Sequence, residues 1–109
     1  MEFININDAM ARLNNNKKFY IRLLGKFDVT GLLDDLLDKV KNGDAEAAQS
    51  ASHAIKGIAA NLSLDDLRAK SEAIDAQLKD GDTNVDTAPI ELSVVRTTEA
   101  VKSWLAENS

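Results

Sequence analysis

The segment from residue 48 to residue 62 restricts the fold more than any other part of the chain, because its apolar residues recur every three or four positions. That spacing matches an α-helix, with about 3.6 residues per turn, and not the two-residue repeat of a strand. The pattern predicts a helix with one face buried in a core. The apolar stripe consists of Ala48, Ala51, Ile55, Ile58, Ala59 and Leu62.

The same helix carries the only histidine of the chain, His53, on the face that points away from the stripe. Lys56 and Gly57 follow one turn later, so a cation and very little bulk lie beside the imidazole. An exposed histidine is usually an ordinary surface residue, and the glycine can equally serve helix packing, so the pattern alone leaves both roles open. The outward positions beside His53 are Gln49, Ser50, Lys56, Gly57 and Ala60.

Turn-forming residues divide the first half of the chain into further helices. Residues 6–13 form a short amphipathic stretch that ends at three asparagines, 14–16, which tolerate left-handed turns. A second helix is predicted over residues 17–27. A third apolar set, residues 32–40, would lie on nearly the opposite face of the same straight helix. The intervening segment must therefore bend, break or rotate the helix, and Thr30 is a candidate N-cap.

The second half has equally clear helix boundaries. Gly43 and Asp44 predict the end of one helix and the capped start of the next, which runs to about Leu62. Residues 63–66 resemble a capping box that opens a helix closing near residues 79–82, and a last helix is predicted over residues 87–107. With 5% aromatic residues and one proline, the chain is predicted to be all-α: one domain, 1–109, forming a four-helix up-down bundle with a short additional N-terminal helix.

Composition excludes several classes of function. The net charge of -5 disfavours nucleic acid as a partner. The absence of cysteine excludes disulfides, thiolate zinc sites and cysteine nucleophiles, and is compatible with a reducing compartment. No apolar run approaches the ~20 residues that span a bilayer, and the first residues do not resemble a signal peptide. We therefore expect a cytoplasmic protein without membrane insertion.

A self-contained catalytic site is not expected either. Any triad would have to use His53, which is predicted to lie on an exposed helix face rather than in a cleft. One imidazole builds no transition-metal site unless carboxylates join it, and its neighbours on the helix include none, so no metal site is predicted. The five glycines are scattered, which excludes a glycine-rich phosphate loop.

The run from His53 to Leu62, HAIKGIAANL, resembles the signature of histidine-containing phosphotransfer (HPt) domains. Most of the chain is similar to that family, including the turn at Gly43 and Asp44 before the histidine. In the N-terminal region, the three asparagines 14–16 stand where the family usually has a glycine-rich turn. Ser63 stands where it commonly has glycine, and we expect a capped rather than a left-handed helix junction there.

The resemblance implies that His53 accepts a phosphoryl group, that Lys56 offsets its charge and that Gly57 permits docking of a partner. Its implied partners are receiver domains of response regulators or hybrid histidine kinases, whose aspartate exchanges the phosphoryl group. Mg²⁺ is expected on the receiver, so this chain needs no cofactor and no kinase activity of its own, and a monomer is the family default. The predicted docking residues are Gln49, Ser50, Gly57, Ala60 and Asn61, bordered by Glu72 and Asp75.

A neutral imidazole suits this role, since one ring nitrogen can attack phosphorus, and a neighbouring ammonium group offsets phosphoryl charge. Two alternatives remain open. The chain can be a non-catalytic helical adaptor in which His53 is incidental, so that His53→Gln leaves partner binding intact. It can also be a metal-assisted hydrolase that combines His53 with carboxylates from other helices, which would give the isolated protein metal-dependent activity.

Overall fold

A computed structural model describes residues 1–108, so Ser109, the last residue of the predicted domain, lies outside the described part. Within residues 1–108 the chain forms six helices and no strand, which confirms the all-α prediction. The helices are α1 (Ile6–Arg12), α2 (Lys17–Leu24), α3 (Thr30–Lys41), α4 (Ala45–Asn61), α5 (Asp65–Lys79) and α6 (Ala88–Asn108).

Helix α4 packs against both α3 and α5, and α6 packs on α5 and on α2. The result is an elongated bundle of 42 × 22 × 21 Å with its core between these helices. Tyr20 of α2 meets Trp104 of α6 edge to face, with ring centroids 5.5 Å apart. The apolar stripe predicted on α4 supplies much of the core, since Ala48, Ala51, Ile55, Ala59 and Leu62 are buried and Ile58 is partly buried.

The turns before α3 follow the predicted chemistry with small differences. Asn14 and Asn15 take left-handed φ values of 53° and 63°, and Asn16 caps α2 by accepting from the backbone N–H of Phe19. Helix α2 ends three residues earlier than predicted, and the non-helical residues 25–29 separate it from α3. Val29 occupies the N-cap position of α3. Thr30 is therefore the first helical residue rather than the cap.

The junction between α4 and α5 differs from the prediction. Ser63 is left-handed, with φ 58°, and Leu64, which makes no side-chain cap, precedes α5. The backbone N–H of Leu64 donates to Ala59 O at 2.9 Å and that of Ser63 to Ala60 O at 3.3 Å, which is the Schellman pattern of a helix end. The expected capped junction is wrong because this pattern requires a left-handed residue directly after Leu62, and serine takes that place.

Contacts with the N-terminal segment hold Ser63 in this conformation. Its hydroxyl donates to Asp8 Oδ2 at 2.6 Å, and its carbonyl accepts from the backbone N–H of Asn5 at 2.8 Å. Nearby, the Tyr20 hydroxyl donates to the carbonyl of Leu62 at 2.6 Å. Helices α1 and α2 are thereby fastened to the end of α4. Among residues 1–108, no helix has the length and apolar character needed to cross a lipid bilayer.

Candidate functional site

Helix α4 presents His53 near its middle, on the face opposite the core. The helix begins where predicted: Gly43 is left-handed, with φ 74°, and the Asp44 carboxylate accepts from the backbone N–H of Ala47 at 3.1 Å. Ala51 and Ile55, on either side of His53 in sequence, are buried, whereas His53 itself is exposed. The packing of α4 thus fixes which way the imidazole faces.

The His53 ring is unrestrained by its surroundings. Within the described residues, it takes part in no hydrogen bond and no ion pair. A neutral imidazole in this position has a ring nitrogen with a free lone pair that faces solvent. The imidazole is therefore accessible to another molecule that approaches from solvent.

Gly57 has no side chain, so no bulk covers the surface of α4 beside His53 at this position. A Cβ atom added at this position would meet no other atom within 4 Å, and the residue is exposed. Glycine in a helix interior costs about 1 kcal/mol relative to alanine. No neighbouring helix needs this space, so packing within the chain does not explain the residue.

Lys56 extends from α4 across to α5. Its ammonium nitrogen lies 3.3 Å from Oδ2 of Asp75, whose side chain is 3% exposed. Burial raises the pKa of the Asp75 carboxyl, but hydrogen bonds from Gln49, Lys56 and Ser52 and the charge of Lys56 outweigh that effect and leave the pKa below its usual value. The cation predicted to serve a phosphoryl group is therefore already engaged with a carboxylate.

The predicted docking residues divide into two groups. Ser50, Gly57 and Asn61 are exposed and lie on the same face as His53, so they form a stripe along α4. Ala60 is partly buried beside that stripe. Gln49 is partly buried too, and its amide donates to Asp75 Oδ1 at 2.8 Å. The structure thus brings three of the five onto one open surface and joins Gln49 to the carboxylate beneath it.

An apolar cleft continues this surface beyond Asn61. It lies between α2 and the end of α4, with a volume of about 270 Å³. Its walls are Leu23, Lys26, Phe27, Asp28, Ile58, Asn61 and Leu62. A second cleft, of about 390 Å³, involves α5 and α6 and includes no residue of α4, so it is separate from His53.

The expectation that Asp75 borders the docking surface is wrong, because the residue is only 2% exposed and faces α4. Glu72 is exposed and pairs with Arg68 on its own helix. The sequence contained a signal for the burial of Asp75: it follows Ser71 by four residues and precedes Leu78 by three, so it falls inside the apolar stripe of α5. Ser52 likewise falls inside the stripe of α4, and it donates to the same carboxylate at 3.2 Å.

Within residues 1–108, no group of three or more histidine, aspartate or glutamate side chains is arranged to hold a metal ion. His53 and Lys56, the histidine and the nearest cation of α4, are three residues apart on that helix.

Comparison with known proteins gives one match. The sequence model described as "Hpt domain" matches residues 26–107, which include α3 to α5 and nearly all of α6. Searches of curated proteins and of solved structures found no match. Proteins of this family are phosphotransfer intermediates of two-component signalling and interact with receiver domains. Because the match covers most of the chain and includes the exposed histidine helix, this chain belongs to the Hpt domain family.

Proposed function

We propose that this protein is a phosphorelay intermediate. It accepts a phosphoryl group on His53 from an aspartyl phosphate of one receiver domain and passes the group to an aspartate of another. In the first step a ring nitrogen of His53 forms the bond to phosphorus while the bond between phosphorus and the aspartate oxygen breaks, and the receiver carboxylate leaves. The second step is the reverse, on a different receiver.

The single observation that carries this proposal is the exposed, unrestrained imidazole on an open helix face within a matched Hpt domain. In-line transfer requires the receiver aspartate and the ring nitrogen to approach closely on opposite sides of phosphorus. The bare surface at Gly57 permits that approach. The charge of Lys56 is one turn away and offsets the charge of the transferred group.

We expect the receiver to cover the stripe formed by Ser50, His53, Gly57 and Asn61. The cleft that starts at Asn61 adds apolar walls to the same surface and so extends the area available for binding. The Mg²⁺ that supports transfer belongs to the receiver in this proposal, and this chain contributes the nucleophile and one cation. No kinase activity is assigned to it.

Transfer from phosphorylated receiver domains of the same organism tests the proposal. The purified protein is mixed with each receiver in turn, and acid-labile, base-stable phosphate is measured on it. We expect label on the wild type and none on His53→Gln, whose side chain is polar but not nucleophilic.

Two further results would contradict the proposal. One is label on the His53→Gln variant equal to that of the wild type. The other is the absence of label from every receiver while the protein is folded and still binds one of them, which would indicate an adaptor instead. Lys70→Gln serves as a control substitution away from His53 and should be labelled like the wild type, because Lys70 pairs with Asp66 on α5 and not with any residue of α4.

A further inference from the structure

The carboxylate of Asp75 lies at the centre of a polar cluster between α4 and α5. Its two oxygens have different partners. Oδ1 accepts from the Gln49 amide at 2.8 Å and from the Ser52 hydroxyl at 3.2 Å. Oδ2 faces two ammonium groups, that of Lys56 at 3.3 Å and that of Lys79 at 3.8 Å. Uncharged donors therefore fix one oxygen, and two cations share the other.

A buried carboxylate requires such partners. An ionised group that leaves water loses its hydration, and it stays charged only if hydrogen bonds and opposite charge replace that loss. Removing one partner from a buried pair is much more costly than the pair is stabilising, because an uncompensated charge remains. Lys56 thus has a structural task on Asp75 in addition to the task proposed for it beside His53.

These two tasks conflict when His53 carries a phosphoryl group. The ammonium group of Lys56 must then turn towards the phosphoryl oxygens, which takes it away from Oδ2 of Asp75. Without a second cation, that movement would leave the buried carboxylate with only its uncharged donors. The energetic cost would oppose the stabilisation that Lys56 gives to the phosphoryl group.

Lys79 is placed to remove this conflict. It follows Asp75 by four residues on α5, which is the spacing at which side chains of one helix meet. Its side chain is 60% exposed, against 24% for Lys56, so Lys79 is the less enclosed of the two. Its distance of 3.8 Å from the shared oxygen needs only a small change to become a hydrogen bond.

We propose that Lys79 is a positioning residue for phosphotransfer, which takes over the Asp75 carboxylate when Lys56 turns to the phosphoryl group on His53. The functional part of this inference rests on the proposed relay function. The proposed exchange of the two cations on the Asp75 carboxylate is independent of the relay function, because it can take place in the unphosphorylated protein as well. Gln49 and Ser52 keep the carboxylate in place while the cations exchange.

The exchange is tested first without phosphate, by following the carboxyl carbon of Asp75 by NMR as a function of pH. Four proteins are compared: the wild type, Lys56→Gln, Lys79→Gln and the double variant. If the two cations replace one another, Lys79→Gln raises the pKa of Asp75 more in the Lys56→Gln background than in the wild type. An equal effect in both backgrounds, or no effect in either, overturns the inference.

Phosphoryl uptake from a labelled receiver domain then tests the functional part. Lys79→Gln is expected to slow the appearance of label on His53 by about two- to fivefold, the range that a partly exposed ion pair supplies. Lys79→Arg keeps the charge and restores the rate. Lys70→Gln removes the same charge from the same helix but leaves Asp75 untouched, so it leaves the rate unchanged.

The two arms separate the possible failures. If the wild type takes up no phosphate, the relay function fails, and the titration still decides whether the cations exchange. If the wild type is labelled and Lys79→Gln is labelled equally fast, the positioning role of Lys79 is overturned although the relay stands. A rate restored by Lys79→Arg and lost in Lys79→Gln excludes a purely steric role of the side chain.

Discussion

The two ends of α4 are built in different ways. At its start, Gly43 turns left-handed and the Asp44 side chain caps the first turn, so all the chemistry lies within a few residues of sequence. At its end, a left-handed serine, Ser63, is buried and bonded to Asp8 and Asn5, and the preceding Leu62 carbonyl accepts from Tyr20, so every partner lies more than forty positions away in sequence. The helix that carries His53 is thus capped by a neighbouring residue at its start and held by tertiary hydrogen bonds at its end.

This difference shows where the stability of the site resides. The exposed start of α4 can fray without disturbing the core, since the Asp44 side chain that caps it is bonded only to α4 itself. The end cannot open without breaking contacts to α1 and α2. We therefore expect variants at the end of α4 to be more destabilising than variants at its start.

The largest effect is expected from ionising Tyr20. Burial, together with the negative charges of Asp65 and Asp8, raises the pKa of its hydroxyl to about 12, against about 10 in an unfolded chain. The folded protein therefore keeps a proton that the unfolded chain releases. The corresponding stability is fully present below about pH 10 and is lost as pH rises towards 12, by about 2–3 kcal/mol in total.

Urea unfolding at a series of alkaline pH values measures this loss. Tyr20→Phe is the control. It should be less stable at neutral pH by about 1–3 kcal/mol, because it loses the hydrogen bond to Leu62, but it has no hydroxyl to ionise and should not show the loss of stability between pH 10 and 12. Tyr20 is the only tyrosine, so phenolate absorbance reports its ionisation directly. Ionisation of Tyr20 near pH 10 in the folded protein would show that its hydroxyl is not buried and bonded to the Leu62 carbonyl.

A smaller effect is expected at Ser63, where two substitutions separate strain from bonding. Ser63→Ala keeps a side chain in the left-handed region and loses the bond to Asp8, which should cost about 1–2 kcal/mol. Ser63→Gly loses the same bond but relieves the strain, so it should be about 1 kcal/mol more stable than the alanine variant. Denaturation midpoints measured under identical conditions give this difference, and equal midpoints would refute the role of the left-handed backbone.

At the other end of α4, Asp44→Ala should cost about 1 kcal/mol, because it removes an N-cap acceptor and no tertiary contact. Hydrogen exchange should locate the change in the first turn of α4 alone. Faster exchange throughout the helix would mean that its start is as tightly coupled to the core as its end.

Between the two ends of α4, Gly57→Ala should raise the free energy of unfolding, whereas the preceding variants lower it. It should stabilise the protein by about 0.5–1 kcal/mol, since alanine is the better helix former and the added methyl group meets nothing within 4 Å. In the proposed function the same methyl group obstructs the receiver and slows transfer to His53. Thermal unfolding and labelling of one preparation test both effects, and a variant that is more stable and transfers at the wild-type rate would contradict the docking role.

The sequence predicts those features that depend on near neighbours. Gly43 and Asp44 contain their own turn and cap, and the spacing of the apolar residues in α4 is enough to turn His53 outward. It does not predict the conformation of Ser63, because a left-handed serine is tolerable only when partners such as Asn5 and Asp8 are in place. It also does not predict the cluster around Asp75, since that depends on how α5 is rotated against α4.

The residues that close the end of α4 have a consequence for the limits of the cooperative folding unit. The family match begins at residue 26, after α1 and α2. Yet the Leu62 carbonyl takes its hydrogen bond from Tyr20, and Ser63 is bonded to Asn5 and Asp8. A polypeptide trimmed to the matched region would retain His53 and lose every one of these bonds. The recognisable sequence signature is therefore shorter than the stretch of chain that must fold together to display it.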